Sequence, residues 1–314
     1  MRSLAWVLVL LAPMMAMSPA LAQQAPAVAR APQEPLPPGY AGSASCNDCH
    51  KKEVALFSAT AKGSLLMKHP RNTHEKLGCE ACHGPSKQHG NSGGEERGAL
   101  VAFGGKHPSP VAQRNAVCLG CHEKTARTLW KGSAHEARNV ACTDCHQVMT
   151  NDMTERGLLK KVSVLETCGT CHAQRKAQAV RYSHMPIGEG KMECTSCHNP
   201  HGSANEKLLL ASSVNETCYS CHADKRGPFL WEHAPVVENC ANCHDAHGSN
   251  KEKMLKVARP RLCQQCHAGG TGHPIQPRLA GRPSDAPFVF NRQCSNCHFN
   301  IHGSNHPAGQ YFTR

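Results

Sequence analysis

Hydrophobic residues form one continuous stretch near the start of this chain and are scattered everywhere else. The stretch Leu4–Met17 follows Arg2 and precedes the small-x-small sequence Ala20-Leu21-Ala22. This order is typical of a cleaved secretory signal peptide, which we predict over residues 1–22. The stretch is shorter than the ~20 residues of a membrane span, and no later segment is apolar enough to be one. We therefore expect an exported protein.

The rest of the chain shows no sustained helical or strand periodicity. Residues 23–40 are rich in Pro and Ala and predict a flexible leader. Residues 41–314 are polar, and aromatic residues make up only 4% of the whole chain, too few for an ordinary hydrophobic core. The pattern predicts short α-helices, long irregular loops and almost no β-sheet.

One motif accounts for all 20 cysteines: ten copies of Cys-x-x-Cys-His. Two thiols three residues apart lie on one side of a helical turn and can bond to the two vinyl groups of one porphyrin. The next histidine is placed to bind the iron from the proximal side. The sequence therefore predicts ten covalently bound c-type haems.

The predicted thioether cysteines are Cys46, Cys49, Cys79, Cys82, Cys118, Cys121, Cys142, Cys145, Cys168, Cys171, Cys194, Cys197, Cys218, Cys221, Cys240, Cys243, Cys263, Cys266, Cys294 and Cys297. The predicted proximal ligands are His50, His83, His122, His146, His172, His198, His222, His244, His267 and His298. We number the motifs 1 to 10 in chain order.

Two other uses of cysteine fit less well. Zinc ribbons contain Cys-x-x-Cys pairs but do not require a histidine directly after every second cysteine. A disulfide scaffold could also use 20 cysteines in an exported chain. It gives no reason for ten histidines at one fixed offset.

The formal charge of the chain is +12. A basic chain can indicate a protein that binds nucleic acid. No nucleic-acid motif is present, and the propionates of ten haems would more than offset the excess of Lys and Arg. We therefore expect these cations to neutralise propionates. We also expect the porphyrins to supply the core, so that the chain does not fold without haem.

The sequence repeats with a period of two motifs. Motifs 1 and 2 form module 1, motifs 3 and 4 form module 2, and so on to module 5. The similarity is clearest between modules 3 and 4, where GluThrCys recurs at 166–168 and 216–218. The predicted fold is thus a multihaem cytochrome c, elongated, with five two-haem modules along a chain of ten haems.

Each module offers one candidate distal ligand between its motifs and one after its second motif. These ten candidates are His69, His89, His135, Met149, His184, His201, His233, His247, His273 and His302. Filling both axial positions of every iron gives low-spin haems and leaves no open position for a substrate. This favours an electron-transfer protein over a multihaem redox enzyme.

Met149 is the one candidate that is not a histidine. If it ligates iron, its thioether favours Fe(II) and raises that haem's reduction potential. If it only packs against a porphyrin, His74, His107 or His306 would be the tenth ligand. His74 could also replace His69. A ligand can come from a neighbouring module, so spacing leaves the pairing of ligands with irons open.

The chain from about residue 41 resembles the MtrA/MtoA/DmsE family of periplasmic decahaem cytochromes. The matching stretches are CEACHGP at 79–85, NAVCLGCH at 115–122, CHNPHG at 197–202, ETCYSCHADKRGP with LWEHAPV within 216–237, LCQQCHA at 262–268 and HGSNHP at 302–307. In that family the position of Met149 is typically a histidine.

The resemblance implies a haem wire held inside an outer-membrane β-barrel porin. Its expected partners are that porin, periplasmic c-type cytochromes or other small electron carriers, and an extracellular cytochrome or Fe(II)/Fe(III) species, with no nucleic acid. The expected location is the periplasm, in association with the outer membrane. Electrons could flow outward, for metal-oxide reduction, or inward, for Fe(II) oxidation. The alternative is a soluble periplasmic shuttle or electron store without a fixed porin.

Overall fold

The computed structural model describes residues 35–150, 158–267 and 293–313. The predicted signal peptide, most of the predicted leader and His273 lie outside these ranges. Within them the chain consists of short helices and irregular loops and contains no β-sheet; the sequence predicted short helices, irregular loops and almost no β-sheet. Strand-like pairing in these ranges is limited to isolated bridges.

The longest helix has 12 residues. The α-helices are Ser43–Cys46, Lys51–Ser58, Ala61–Lys68, Glu80–His83, Lys87–Asn91, Val111–His122, Cys142–Cys145, Val164–Gly169, Ala173–Ala179, Met185–Gly188, Val214–Tyr219, Ala234–Glu238 and Arg261–His267. The 3-10 helices are Glu75–Leu77, Thr125–Arg127, Glu136–Arg138, Cys194–Ser196, Glu206–Leu208, Ala223–Lys225, Cys240–Asn242, Glu252–Met254 and Cys294–Asn296.

The two motifs of a module differ in local structure. In motifs 5 and 7 the first cysteine lies near the end of an α-helix whose N-terminus is capped by a serine. Ser163 Oγ accepts the Glu166 N–H, and Ser213 Oγ accepts the Glu216 N–H. In motifs 6, 8 and 10 the cysteines lie on single 3-10 turns. A helix therefore leads into the first motif of these modules, and a tight turn presents the second.

After motifs 4, 6 and 8 two short stretches of chain pair with each other, and we call these segments return loops (146–150 with 158–160, 198–210 and 244–256). Each is closed by an antiparallel bridge from the motif histidine: His146 to Leu159, His198 to Leu209 and His244 to Leu255. Three equivalent backbone hydrogen bonds flank the bridges: Gln147 N to Leu158 O (2.7 Å), Asn199 N to Leu208 O (2.8 Å) and Asp245 N to Met254 O (2.8 Å). The three loops are therefore closed by equivalent backbone hydrogen bonds.

Buried apolar side chains are few and scattered over the described ranges. They are Phe57, Leu66, Ala81, Val101, Trp130, Ala141, Val164, Ala179 and Leu255. Such a set cannot form one continuous hydrophobic core of the usual kind. No helix in the described ranges is both long and apolar enough to span a membrane.

A buried carboxylate fixes the start of the described chain. The Glu80 side chain accepts hydrogen bonds from the backbone N–H groups of Ala41 (2.9 Å), Gly42 (2.8 Å) and Ser86 (2.9 Å), and from Ser86 Oγ (2.6 Å). Burial alone would raise the pKa of this carboxyl, but the four donors outweigh burial and hold the pKa below its usual value. Residues 41 and 42 are thus attached to motif 2 through an ionised side chain.

Candidate haem-ligating residues

The described residues include seven pairs of imidazole rings, each joining a motif histidine to a predicted distal histidine. The ring centres are 6.0 to 6.4 Å apart. The pairs are His50–His89, His146–His201, His172–His135, His198–His247, His222–His184, His244–His302 and His267–His233.

This spacing fits one iron between each pair of rings. A metal–imidazole bond is about 2 Å long and the ring centre lies roughly 1 Å beyond the nitrogen, so two imidazoles on one iron have centres about 6 Å apart. Direct packing of two rings would allow a shorter separation, down to about 4.5 Å. No group of three or more His, Cys, Asp or Glu side chains able to hold a metal ion occurs within the described ranges.

Several motif histidines have a fixed ring orientation. Their Nδ1 atoms lie at hydrogen-bond distance from backbone carbonyls, which can only accept, so Nδ1 carries the proton. The contacts are His83 to Val101 O (3.0 Å), His198 to Lys207 O (2.8 Å), His244 to Lys253 O (2.8 Å) and His298 to Tyr311 O (2.6 Å). A proton on Nδ1 leaves the Nε2 lone pair available to a metal.

Histidines on the distal side are oriented in the same way. His135 Nδ1 donates to Pro200 O (2.7 Å) and His184 Nδ1 donates to Ala246 O (3.1 Å). His233 lies against the equivalent carbonyl, that of Ile301, and its buried Nδ1 makes no hydrogen bond of standard geometry. In each case the carbonyl belongs to the residue just before the next module's distal histidine. A distal ligand of one module is therefore positioned by the following module.

The pairs follow one rule within the internal modules. The first motif of a module pairs with the histidine between the motifs of the preceding module: His172 with His135, His222 with His184 and His267 with His233. The second motif pairs with the histidine after the second motif of the following module: His146 with His201, His198 with His247 and His244 with His302. Neighbouring modules thus exchange candidate ligands in both directions.

The first module departs from this exchange. His50 of motif 1 pairs with His89 of its own module. By the same logic His298 of motif 10 would pair with His273, which lies outside the described residues. Among the described residues, no other imidazole lies within ring-pair distance of His122.

By the rule for internal modules, His122 of motif 3 should pair with a histidine between motifs 1 and 2. Two histidines, His69 and His74, lie in that segment. His69 follows the helix Ala61–Lys68, whereas His74 begins the 3-10 turn Glu75–Leu77, just as His135 begins Glu136–Arg138. Equivalent side-chain caps precede the two turns: Glu75 N donates to Asn72 Oδ1 (2.9 Å), and Glu136 N donates to Ser133 Oγ (3.2 Å). His74 therefore has the same local structure as His135, which pairs with His172 of the next module.

The other spare histidines, His107 and His306, have no imidazole partner at this spacing within the described chain. His107 is exposed. The His306 carbonyl accepts the Trp231 indole N–H (3.0 Å). Met149 lies half-buried on the return loop of motif 4.

The cysteines of the two motifs in each module also meet. The first cysteine of one motif lies close to the first cysteine of the other, near enough for the two thiols to interact. These pairs are Cys46–Cys79, Cys118–Cys142, Cys168–Cys194, Cys218–Cys240 and Cys263–Cys294. All five modules therefore share this geometry.

The second cysteines approach each other across module boundaries. Each second cysteine of an even motif lies close enough to the second cysteine of the next odd motif for their charges to interact. These neighbours are Cys82–Cys121, Cys145–Cys171, Cys197–Cys221 and Cys243–Cys266. Together with the contacts inside modules, they join motifs 1 to 10 in sequence order.

Burial and nearby cations lower the pKa of three candidate distal histidines, His201, His247 and His302, and so favour their neutral form. Burial lowers the pKa of His201 to about 4, and His146 and Arg127 add to the shift. Burial also lowers the pKa of His247, followed by Arg175, and the pKa of His302, followed by Lys225. A neutral imidazole is the form that can bind iron.

Asparagines that the sequence analysis did not single out connect the two motifs of modules 2 and 4. Asn115 Oδ1 accepts the Cys142 N–H (2.9 Å) while its Nδ2 donates to Val140 O (3.0 Å). Asn215 Oδ1 accepts the Cys240 N–H (2.7 Å). Both lie three residues before the first cysteine of their module, and this shared offset was the available signal. In module 1, Ser43 Oγ at the same offset accepts the Cys79 N–H (2.8 Å).

Glycines after the distal histidines allow the return loops to touch the preceding module. Gly202 and Gly248 have φ values of 117° and 116°, which are left-handed and favour glycine. A Cβ at Gly202 would lie 2.0 Å from Leu129 O, and one at Gly248 would lie 2.4 Å from Gln178 O. A side chain at either position would push the modules apart.

Comparison with known proteins agrees with this geometry. The doubled CXXCH motif family matches residues 184–227 and 233–272, and the cytochrome c-type protein NrfB-like family matches residues 79–165. Multiheme cytochrome MtrA of Shewanella baltica (strain OS185) is 42% identical over 283 residues, which is 87% of this chain and 81% of that protein.

This similarity extends over most of the chain. It confirms the family expected from the sequence and the covalent attachment of c-type haem. The chain belongs to the MtrA family of multihaem c-type cytochromes.

Proposed function

We propose that the chain binds ten haems in five modules and conducts electrons along them in the order of the motifs. The observation that carries this proposal is the series of neighbouring cysteines, alternating within and between modules from motif 1 to motif 10. Cysteines hold the edges of the porphyrins, so neighbouring cysteines imply neighbouring porphyrin edges. When bound, the haems supply reversible one-electron Fe(III)/Fe(II) chemistry.

The residues of the chain have separate roles in this proposal. The twenty cysteines attach the porphyrins, and the ten motif histidines bind iron from the proximal side. The seven ring pairs give seven bis-histidine sites. His273 would complete the site of motif 10, and His74 or His69 the site of motif 3. Carbonyls that accept from Nδ1 hold the rings in place, so little rearrangement accompanies a change of oxidation state.

Export follows from the proposed signal peptide at residues 1–22, with residues 23–40 as leader and residues 41–314 as the haem-binding domain. Haem attachment would then occur outside the inner membrane, and the mature chain would reside in the periplasm. We propose that an outer-membrane porin holds it there. The irregular polar backbone cannot face lipid, because its hydrogen-bonding groups would be unsatisfied, so a conduit requires such a shield.

The proposed task is to pass electrons between periplasmic carriers and extracellular donors or acceptors. Similarity over 87% of the chain to a protein named Multiheme cytochrome MtrA supports the electron-transfer class. The direction of flow follows from the potentials of the partners, so oxidation of Fe(II) and reduction of metal oxides both remain within this function. A soluble periplasmic shuttle or store without a porin is the second candidate.

Purification from native outer membranes tests the proposal. Membranes are solubilised in mild detergent and the cytochrome is followed by its haem absorbance. We expect a β-barrel protein in fixed stoichiometry, and we expect the complex in liposomes to exchange electrons with a dye sealed inside. Free release with the periplasmic fraction would instead establish the shuttle. The mass of the mature chain tests the haem count, and fewer than ten haems would contradict it.

A further inference from the structure

We propose that Met149 is the distal ligand of the haem attached to motif 2, opposite His83. This gives one His/Met site among bis-histidine sites, second from the N-terminal end of the series. The inference rests on the proposed attachment of ten haems but not on the porin. The argument starts from the ligand exchange between modules.

The exchange rule for second motifs has three observed instances. His146, His198 and His244 pair with His201, His247 and His302, each of which belongs to the following module. His201 and His247 lie three residues after their own motif histidines. One step toward the N-terminus, the rule joins His83 of motif 2 to the residue three positions after His146. That residue is Met149.

The backbone places Met149 where the rule requires. The return loop of motif 4 closes with the same pair of hydrogen bonds as the return loop of motif 6. Gln147 N donates to Leu158 O (2.7 Å) and Lys160 N donates to Cys145 O (2.8 Å), in parallel with Asn199 N to Leu208 O (2.8 Å) and Leu210 N to Cys197 O (2.9 Å). Met149 and His201 therefore both follow the first closing bond of their loops by two residues.

Side-chain contacts connect motif 4 to His83 independently of this comparison. The Arg114 guanidinium donates from Nη1 to Thr143 Oγ1 (3.3 Å), within motif 4, and to Phe103 O (3.4 Å). The Phe103 ring stands edge-on to the His83 ring with centres 5.4 Å apart. Arg114 thus holds motif 4 beside the residue that flanks His83.

The tip of this loop differs from the others in a way that suits a thioether. Asn199 Oδ1 accepts the His201 N–H (3.1 Å), and Gly202 follows, so the imidazole has a fixed approach. The motif 4 loop has Gln147 and Thr150 at these places, and their side chains bond to each other instead (3.1 Å). Methionine has three rotatable side-chain bonds and can reach a metal without that fixed turn.

The rival ligand is His107, which lies in the loop after Phe103 and not after the motif histidine of the following module. The exchange rule therefore selects Met149. The two assignments differ in the chemical signature of the iron. A thioether ligand favours Fe(II) and gives the highest reduction potential in the chain.

Spectroscopy and potentiometry on the purified holoprotein test the assignment. We expect the oxidised protein to show the near-infrared charge-transfer band of Fe(III)–thioether ligation, at an intensity of one haem among ten. Met149→His should abolish the band and move the highest midpoint potential down into the range of the others. Met149→Ala should abolish the band and give one high-spin haem.

Two control variants make the test decisive. His107→Ala and Met153→Leu, the latter changing the neighbouring methionine in the sequence, should leave the band and the highest potential unchanged. Absence of the band from the unaltered protein would overturn the assignment, as would its loss in either control. The mass of each variant reports the number of attached haems, so a failure of the ten-haem proposal is distinguished from a failure of the Met149 assignment.

Discussion

The junction between modules 3 and 4 and the junction between modules 1 and 2 use one plan with different residues. At the first, His184 and His247 cross the boundary, Gly248 lies against Gln178, and Ser249 N bonds to Tyr182 O (2.9 Å). At the second, the segment between motifs 1 and 2 holds two candidate histidines and the return loop of module 2 carries Met149 followed by Thr150.

The comparison shows which features of a junction the fold requires and which residues can differ from one junction to another. The frame of the return loop persists at both junctions, because backbone hydrogen bonds close it whatever residue stands at its tip. The ligand at the tip can change, because it acts on the iron and not on the frame. The internal junction is therefore the regular unit, and the first junction is the place where ligand identity is altered.

The strongest way to break the regular junction is to remove one of its crossing ligands. His247→Ala takes the partner from His198 and releases module 4 from module 3 at that point. We expect one high-spin haem by electron paramagnetic resonance and a loss of unfolding free energy on the order of 3 kcal/mol. His107→Ala removes an exposed imidazole that has no ring partner among the described residues. It should change neither the spin state of the haems nor the free energy of unfolding.

The same experiment at the first junction sharpens the comparison. His74→Ala should give one high-spin haem, because the turn that begins at His74 matches the turn that begins at His135. His69→Ala should keep all haems low-spin and change the free energy of unfolding by no more than about 0.5 kcal/mol. The reverse result would restore His69 as the ligand of motif 3 and show that turn geometry does not identify ligands here.

Closing the space between modules should weaken the internal junction without touching a ligand. Gly248→Ala adds a Cβ 2.4 Å from Gln178 O at a φ of 116°, so either the backbone or the boundary must shift. We expect a loss of about 2–3 kcal/mol in denaturant unfolding with the number of haems unchanged. Gly104→Ala is the matched control, since nothing lies within 4 Å of its Cβ position; an equal loss there would remove the steric explanation.

The smallest expected effect separates the two regions by pH. The lowered pKa of Glu80 means that its stabilising contribution is complete above the unfolded value of 4.5 and is lost as pH falls through the folded value. Glu80→Gln should cost about 1–2 kcal/mol at neutral pH, with the difference from the unaltered protein shrinking in acid. Asn215→Ala removes the uncharged side chain that accepts the Cys240 N–H in module 4. It should lower the free energy of unfolding by a similar amount at every pH. A cost of Glu80→Gln that does not change with pH would contradict the ionised anchor.

The repeat and the motif histidines were predictable because covalent chemistry fixes their spacing. The scarcity of apolar residues predicted short helices and no sheet, and the described ranges have that structure. The partner of each histidine was not predictable, because His135 reaches His172 in the next module and spacing along the chain does not encode that step. Clamps such as Asn115 were missed for a similar reason: one amide beside a cysteine has no distinctive pattern until its bonds to Val140 and Cys142 are seen.

The exchange of ligands between neighbours also governs how such a chain can change in length. An internal module gives a ligand to each side and receives one from each side, so an added copy would find both of its partners. An extra copy of residues 164–213, inserted in tandem, should therefore yield a protein that carries two more haems by mass, with both ends unaltered. A single added motif would leave one iron without a partner. The length of the haem series can therefore change in steps of one whole module, without a change in the contacts that its two ends make.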